Sequence, residues 1–223
     1  MYRTFIFLTI HMIFNFHALF LPHALAQAPS SHHHSFGGAE NWANIFDDPK
    51  RDQWQKPHEV IQSLGLAKNS VIADIGSGTG YFSAKLAHFV PTGHVYGVDT
   101  EPDMVKYLTD RITRDGLNNV TSITGTSDDP QLPTSVDLIL MVDVFHHIDN
   151  RERYLKKLRD YLKVEGRIAL IDFNKQSTIG PPLAQRITEI DLKAEMLQAG
   201  YTFVSAPSFL PNQYFLIFKR STP

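Results

Sequence analysis

Val71-Ile-Ala-Asp74-Ile-Gly76-Ser77-Gly78-Thr-Gly80-Tyr-Phe-Ser-Ala-Lys-Leu-Ala87 decides the fold. Val71–Ile75 is a short, nearly continuous apolar run, the pattern of a strand buried on both faces. Three glycines then alternate with other residues. Glycine has no Cβ and accepts positive φ, so the backbone can turn sharply and lie close to a ligand. The helix that follows aims its unpaired N–H groups and its dipole at the same place. The order strand, glycine turn, helix opens an α/β domain with an anion- or nucleotide-sized ligand at its first turn.

Outward from this stretch the chain alternates. Strands are expected at Val71–Ile75, Gly93–Asp99, Val120–Gly125, Val136–Val142 and Arg167–Phe173. Helices are expected at Gly80–Phe89, Pro102–Asp115, Arg151–Leu162 and Thr188–Ala199. Pro102 suits a first helical position. Thr188 with Asp191 reads as a capping box, and Gly200 stands where a helix is closed by a left-handed residue. Met104, Tyr107, Leu108 and Ile112 form an apolar stripe. Such alternation gives a parallel sheet with helices on both faces. Tyr201–Leu210 and Gln213–Lys219 are joined through Pro211-Asn212 with no room for a helix. They form a hairpin, and one strand must run antiparallel. The expected architecture is an α/β, Rossmann-like three-layer αβα sandwich with a seven-stranded, mostly parallel sheet and an antiparallel C-terminal strand.

Residues 1–26 read as a signal peptide. Arg3 is their single charge, an apolar stretch runs from Phe5 to Leu21, and Ala24-Leu25-Ala26 supplies a cleavage site before Gln27. His11, Asn15 and His17 make the stretch a poor permanent span, so the membrane is a transient partner only. Residues 27–40 are Ser-, His-, Gly- and Pro-rich and read as a flexible tether. Its His32-His33-His34 can take a metal opportunistically, but a solvated linker is the better reading. Residues 41–223 form the folded domain, with 41–65 a helical lead-in. An exported protein, periplasmic or secreted, follows. A tethered protein with an uncleaved leader is the alternative.

The 223 residues hold one good-sized core, and 43% hydrophobic with 20% charged residues is an ordinary globular composition. The net charge of -2 comes without a basic run, so nucleic acid is not expected as a partner. The absence of cysteine excludes disulfides, thiolate metal sites and a cysteine nucleophile. No metal site is expected in the domain.

In open parallel sheets ligands sit at the carboxyl ends of the strands. The first strand carries Asp74 there, and the second ends in Asp99, placed to accept hydrogen bonds from ribose hydroxyls. A dinucleotide fingerprint needs its third glycine where this chain has Tyr81. A P-loop needs Gly-Lys-Ser or Gly-Lys-Thr, which is absent. Pyrophosphate ligands are therefore disfavoured.

The Gly76-x-Gly78-x-Gly80 turn after Asp74-Ile resembles the first motif of class I S-adenosylmethionine-dependent methyltransferases. The resemblance runs from about Val60 to Lys219 and includes the terminal hairpin. It implies a cofactor, S-adenosyl-L-methionine, and a cofactor site of Asp74, Gly76, Ser77, Gly78, Gly80, Asp99, Asp128 and Asp129. Asp74 would support the methionine amino end, Asp99 the ribose, and Asp128-Asp129 the adenine amino group. Asp143-Val-Phe-His146-His147 resembles the segment after the fourth strand in quinone-biosynthesis C-methyltransferases. Gly200-Tyr201 and the Trp42…Phe46-Asp-Asp-Pro…Trp54-Gln-Lys-Pro57 lead-in also resemble members of that family. The amino-methylating signature Asn/Asp-Pro-Pro-Tyr is absent. The implied acceptor is a small molecule.

Asp143, His146 and His147 are the candidate catalytic residues. His147 is expected to take or steer a proton from the acceptor, with His146 or Asp143 in support. Asp172, at the end of the fifth strand, faces the same rim. An exported non-catalytic nucleoside- or metal-binding module on the same fold is the alternative reading.

Overall fold

The computed structural model describes residues 38–221. The expected signal peptide, and all of the His-rich tether up to residue 37, lie outside the described residues. Three short helices lead in: α1 (Ala39–Phe46), α2 (Arg51–Gln55) and α3 (Pro57–Ser63). The sequence suggested a helical lead-in over 41–65. Asp48-Pro49 separates the first pair. Lys56, in a left-handed conformation at φ 46° ahead of Pro57, separates the second.

The remaining order is β1 (Val71–Ile75), α4 (Tyr81–Phe89), β2 (His94–Asp99), α5 (Pro102–Asp115), β3 (Val120–Thr124), β4 (Val136–Val142), α6 (Arg151–Tyr161), β5 (Leu162–Phe173), α7 (Glu189–Gln198), β6 (Tyr201–Ser205) and β7 (Gln213–Arg220). The seven strands form one sheet in the order β3-β2-β1-β4-β5-β7-β6. β7 slots between β5 and β6 and is antiparallel to both, while the pairs from β3 through β5 are parallel. This is the expected sandwich.

Two cores lie on the two faces of the sheet. Ile72, Leu138, Leu140, Ala169, Ile171, Phe215 and Ile217 face α3 and α4. Ala73, Ile139, Met141, Ile168, Leu170, Leu216 and Phe218 face α6 and α7. Successive side chains of a strand point to opposite faces, so a strand covered on both sides is apolar at every position. That is why Val71–Ile75 is an apolar run broken only by Asp74, and why Leu138–Val142 of β4 is one as well.

Most boundaries fall within two residues of expectation. β5 begins five residues early, at Leu162, because Leu162 pairs with Val136 ahead of a register shift. β6 ends at Ser205, not Leu210. The connection to β7 is therefore a longer loop. Thr188 is the N-cap of α7 and accepts from the Asp191 N–H at 3.1 Å. Gly200, at φ 85°, closes the same helix. Among the described residues no helix is long and apolar enough to cross a membrane.

Strand order reverses between β1 and β4. The ends of β1, β2, β4 and β5 and the start of β7 converge on that side of the sheet, and there the chemistry-bearing side chains gather.

Candidate functional site

The glycine turn is built for close approach, but its three glycines have different reasons. All have positive φ. A Cβ on Gly76 would stand 2.2 Å from Val144 Cγ2, and one on Gly80 would stand 2.4 Å from Leu108 Cδ1. Both are demanded by packing. Gly78 has room: only the Phe46 ring, at 3.5 Å, approaches its missing Cβ. Its N–H donates to Asp99 Oδ2 at 2.8 Å. The turn is hung on β2 as well, since the Gly76 and Ser77 N–H groups donate to the Val98 carbonyl. Gly97 was not singled out in the sequence. A Cβ there would meet Leu108, Ser83 and Ser77, so its absence lets α4 and α5 close on β2.

Asp74 is buried and accepts from Ser83 Oγ at 2.6 Å. Burial pushes its carboxyl up to about 6, against the opposing Ser83 hydrogen bond and the Arg51 charge. Asp99 accepts from two backbone N–H groups, Gly78 on one oxygen and Glu101 (3.0 Å) on the other. Burial raises its pKa too, and those amides oppose the rise. Each oxygen keeps a lone pair for a hydroxyl donor. Ser77 Oγ and Thr79 Oγ1 are buried without a hydrogen-bond partner. Unpartnered buried hydroxyls in a glycine turn, beside an amide-fixed carboxylate, are polar groups suited to a polar ligand. These residues fit a nucleoside carrying an amino acid.

Asp128 and Asp129 follow β3 but turn toward α6. Asp128 pairs with Arg153 at 2.9 Å. Asp129 accepts from Tyr161 Oη at 2.7 Å and from the Gln131 N–H at 2.8 Å, with Lys157 at 3.3 Å. Their carboxylates fasten the loop to the helix that follows β4.

On the other side of the switch point, Asp143 follows β4 directly, in a left-handed conformation at φ 59°. Its Oδ1 accepts from Gln213 Nε2 at 2.6 Å. Its pKa is raised, first by burial and then by the nearby Asp172 carboxylate. His146 stands in the 3-10 turn after β4, its side chain almost fully buried. Nδ1 lies 3.0 and 2.9 Å from the two oxygens of Asp172, itself buried at the end of β5. Burial alone would lower the pKa of His146, but the hydrogen bond and charge of Asp172 outweigh it, and the pKa is raised. His147 is exposed, its ring tilted 43° to that of His146 with the centroids 4.1 Å apart. Asp143, His146 and His147 are thus together, as expected. His146 is the buried one of the two histidines, held by the Asp172 carboxylate.

Three side chains were missed. Arg51 of α2 lies 4.0 Å over the Tyr81 ring, donates to the Phe46 carbonyl at 2.9 Å and to Gln55 Oε1, and its charge acts on both Asp74 and Asp143. Gln55 and Gln213 are buried and bond to each other. Tyr81 stands where a dinucleotide fingerprint has glycine. It carries Lys85 on its ring as well, at 3.9 Å, and bonds to Asp52. Only the tertiary fold brings α2 to the glycine turn. In sequence Arg51 is one cation among 21.

After β5 the chain forms a cap over this rim. Arg186 is buried and donates to four carbonyls of that segment: Pro181 (2.7 Å), Asn174 (2.9 Å), Ser177 (2.8 Å) and Ile179 (2.9 Å). Ile179 and Leu183 are exposed on it, and Phe173 beneath packs against Trp54. Replacing Arg186 with Ala leaves four carbonyls without their shared donor. We expect cleavage within residues 174–187 by a broad-specificity protease to speed up at least tenfold, an opening cost of about 1.4 kcal/mol or more. An unchanged digestion rate would remove Arg186 from this role.

A family described as a methyltransferase domain matches residues 66–204, more than half of the chain. Among curated proteins, a ubiquinone biosynthesis O-methyltransferase of Schizosaccharomyces pombe is 28% identical over 142 residues, 63% of this chain and 49% of that protein. A tRNA(Phe) (4-demethylwyosine(37)-C(7)) aminocarboxypropyltransferase of Methanocaldococcus jannaschii is 30% identical over 101 residues, 45% of this chain and 39% of that one. The chain thus spans about half or less of the length of these two relatives. Among solved structures, a SAM-dependent methyltransferase from Aquifex aeolicus superposes with a TM-score of 0.75 at 24% identity, covering 81% of this chain and 97% of that one.

Proposed function

The chain belongs to the methyltransferase domain family, and on that premise we propose that it is an S-adenosylmethionine-dependent methyltransferase acting on a small-molecule acceptor. One observation carries the reading. The glycine turn, the Asp99 carboxylate and the unpartnered hydroxyls of Ser77 and Thr79 form one polar cradle, and it adjoins the Asp143/His146/Asp172 cluster through the Gly76–Val144 contact. Similarity to a ubiquinone biosynthesis O-methyltransferase, together with the exposed Ile179 and Leu183 on the cap, supports an acceptor with an apolar part.

Bound S-adenosylmethionine supplies a methyl group already activated on a sulfonium. The chain has to hold two reactants in line and keep water out. Asp99 accepts from ribose hydroxyls, Asp74 faces the amino end, and Arg51 receives the carboxylate. Asp128 and Asp129 remain candidates for the adenine edge. His146, oriented by Asp172, takes or steers the proton of an acceptor that must lose one, and the exposed His147 lines its approach. The apolar leader pattern at residues 1–26 supports export as part of the same reading. N-terminal sequencing of the mature protein tests it.

Calorimetry with S-adenosylhomocysteine tests the function. Micromolar binding supports the enzyme. No binding, together with binding of Zn²⁺, supports the non-catalytic module. The pH dependence is a second check. Asp74 holds a proton below about pH 6 in the free protein and must lose it to face a cation. Affinity for S-adenosylmethionine is therefore expected to rise about eightfold from pH 5 to pH 6.5, below the range near 7 in which Asp143 titrates. The free protein's stability runs the other way. A carboxyl whose pKa is raised on folding favours the folded state most below its unfolded value, near 3.8, and that contribution is lost as pH climbs through about 6. The Asp74 share of this loss is about 3 kcal/mol. A flat affinity profile would remove Asp74 from the amino end.

A further inference from the structure

Four side chains from three separate elements bond in a line. Arg51 of α2 donates to Gln55 Oε1, through Nε at 3.4 Å and a terminal nitrogen at 3.3 Å. Gln55 Nε2 donates to Gln213 Oε1 at 2.7 Å, and Gln213 Nε2 donates to Asp143 Oδ1 at 2.6 Å. Every bond has the same sense, from a guanidinium through two buried amides to a carboxylate. Aligned bonds of this kind polarise one another in a low-dielectric interior. The two amides join residues 158 positions apart in sequence. A buried amide pair is costly unless fully bonded, so a purely apolar contact there would be simpler to maintain.

We propose that Gln55 and Gln213 are positioning residues that couple Arg51, at the cofactor's carboxylate end, to Asp143, on the acceptor side, so that filling one changes the proton held by the other. The inference rests on the methyltransferase reading. In the free protein the chain of donors and the Arg51 charge favour ionised Asp143. A ligand carboxylate on Arg51 cancels that charge and draws the guanidinium from Gln55. Asp143 then takes up a proton. The groups facing Asp143 are Asp172 from β5, His146 from the turn after β4, Gln213 and Tyr214 from β7, and Arg51 from α2. Asp172 disfavours the second negative charge, so the uptake falls on Asp143, while His146 stays bonded to Asp172.

The test is calorimetry of S-adenosylhomocysteine binding near pH 7.5 in two buffers of different ionisation enthalpy, which counts protons exchanged. Asp74 is already ionised at that pH and does not contribute. Wild-type protein is expected to take up a fraction of a proton per ligand. Gln213→Met and Gln55→Met should each lose most of that uptake while still binding. Gln213→Glu, which places a second carboxylate against Asp143, should shift the uptake to higher pH. A wild-type protein that binds without exchanging protons overturns the inference, and so do variants whose count equals the wild-type count. Should one variant fail to fold, the other and the wild-type count still decide. Failure of wild-type protein to bind S-adenosylhomocysteine at all would instead overturn the methyltransferase reading.

Discussion

Asp99→Ala is expected to weaken S-adenosylhomocysteine binding by roughly 100-fold or more, about 3 kcal/mol. Two losses combine. On the proposed reading the ligand loses the acceptor of its ribose hydroxyls. The Gly78 and Glu101 N–H groups lose the carboxylate that fixes the turn, now at 2.8 and 3.0 Å. Removing a charged acceptor from a partly buried amide pair costs more than an exposed hydrogen bond, because the amides are left unpaired. Asp99→Asn should fall between, since its single carbonyl oxygen serves one amide well and its NH₂ cannot accept from the other. Calorimetry reads the affinity, and a melting curve on the same samples separates loss of ligand from loss of fold. An Ala variant that binds within threefold of wild type would sink the assignment of Asp99 to the ribose.

The second large effect concerns stability. Gly76→Ala is expected to destabilise the domain by about 3–5 kcal/mol, summing backbone strain and overpacking. The new methyl would stand 2.2 Å from Val144 Cγ2 in a backbone at φ 69°. Val144 follows Asp143, so any relief moves Asp143 as well. Gly116→Ala is the control. Gly116 closes α5 at φ 65°, and nothing lies within 4 Å of its missing Cβ. It should cost only about 1 kcal/mol, the price of the conformation. Thermal unfolding measures both, with a difference of roughly 5–15 °C expected between them. Equal losses would show that φ alone, and not the Val144 contact, demands glycine at position 76.

The contrast between these glycines shows what a sequence carries. Gly76, Gly78 and Gly80 look equivalent as letters and as a motif. Conformational demand is local, so their spacing after an apolar run was enough to place a turn between β1 and α4. Packing demands glycine at 76 and 80 through Val144 and Leu108, 68 and 28 positions away, while Gly78 has room beside Phe46. Nothing local encodes those neighbours. The same division separates His146 from His147. Adjacent in sequence, they carry no local signal that separates them, and the expectation favoured His147. What separates them is Asp172 at the end of β5, which takes the buried His146 as its partner.

By itself the sequence determined the order of strands and helices, the two-faced burial of β1, the antiparallel final strand and the acids at strand ends. All of these follow from periodicity, turn chemistry and chain length, which act over a few residues. Tertiary structure alone decided that Arg51 and Gln55, from a lead-in helix, reach the glycine turn and the start of β7. It also decided that Asp128 and Asp129 bond to α6, and that Arg186 gathers four carbonyls of the cap. Those pairings join residues remote along the chain through burial and hydrogen-bond satisfaction. Such demands are met only once the sheet has brought its strand ends together.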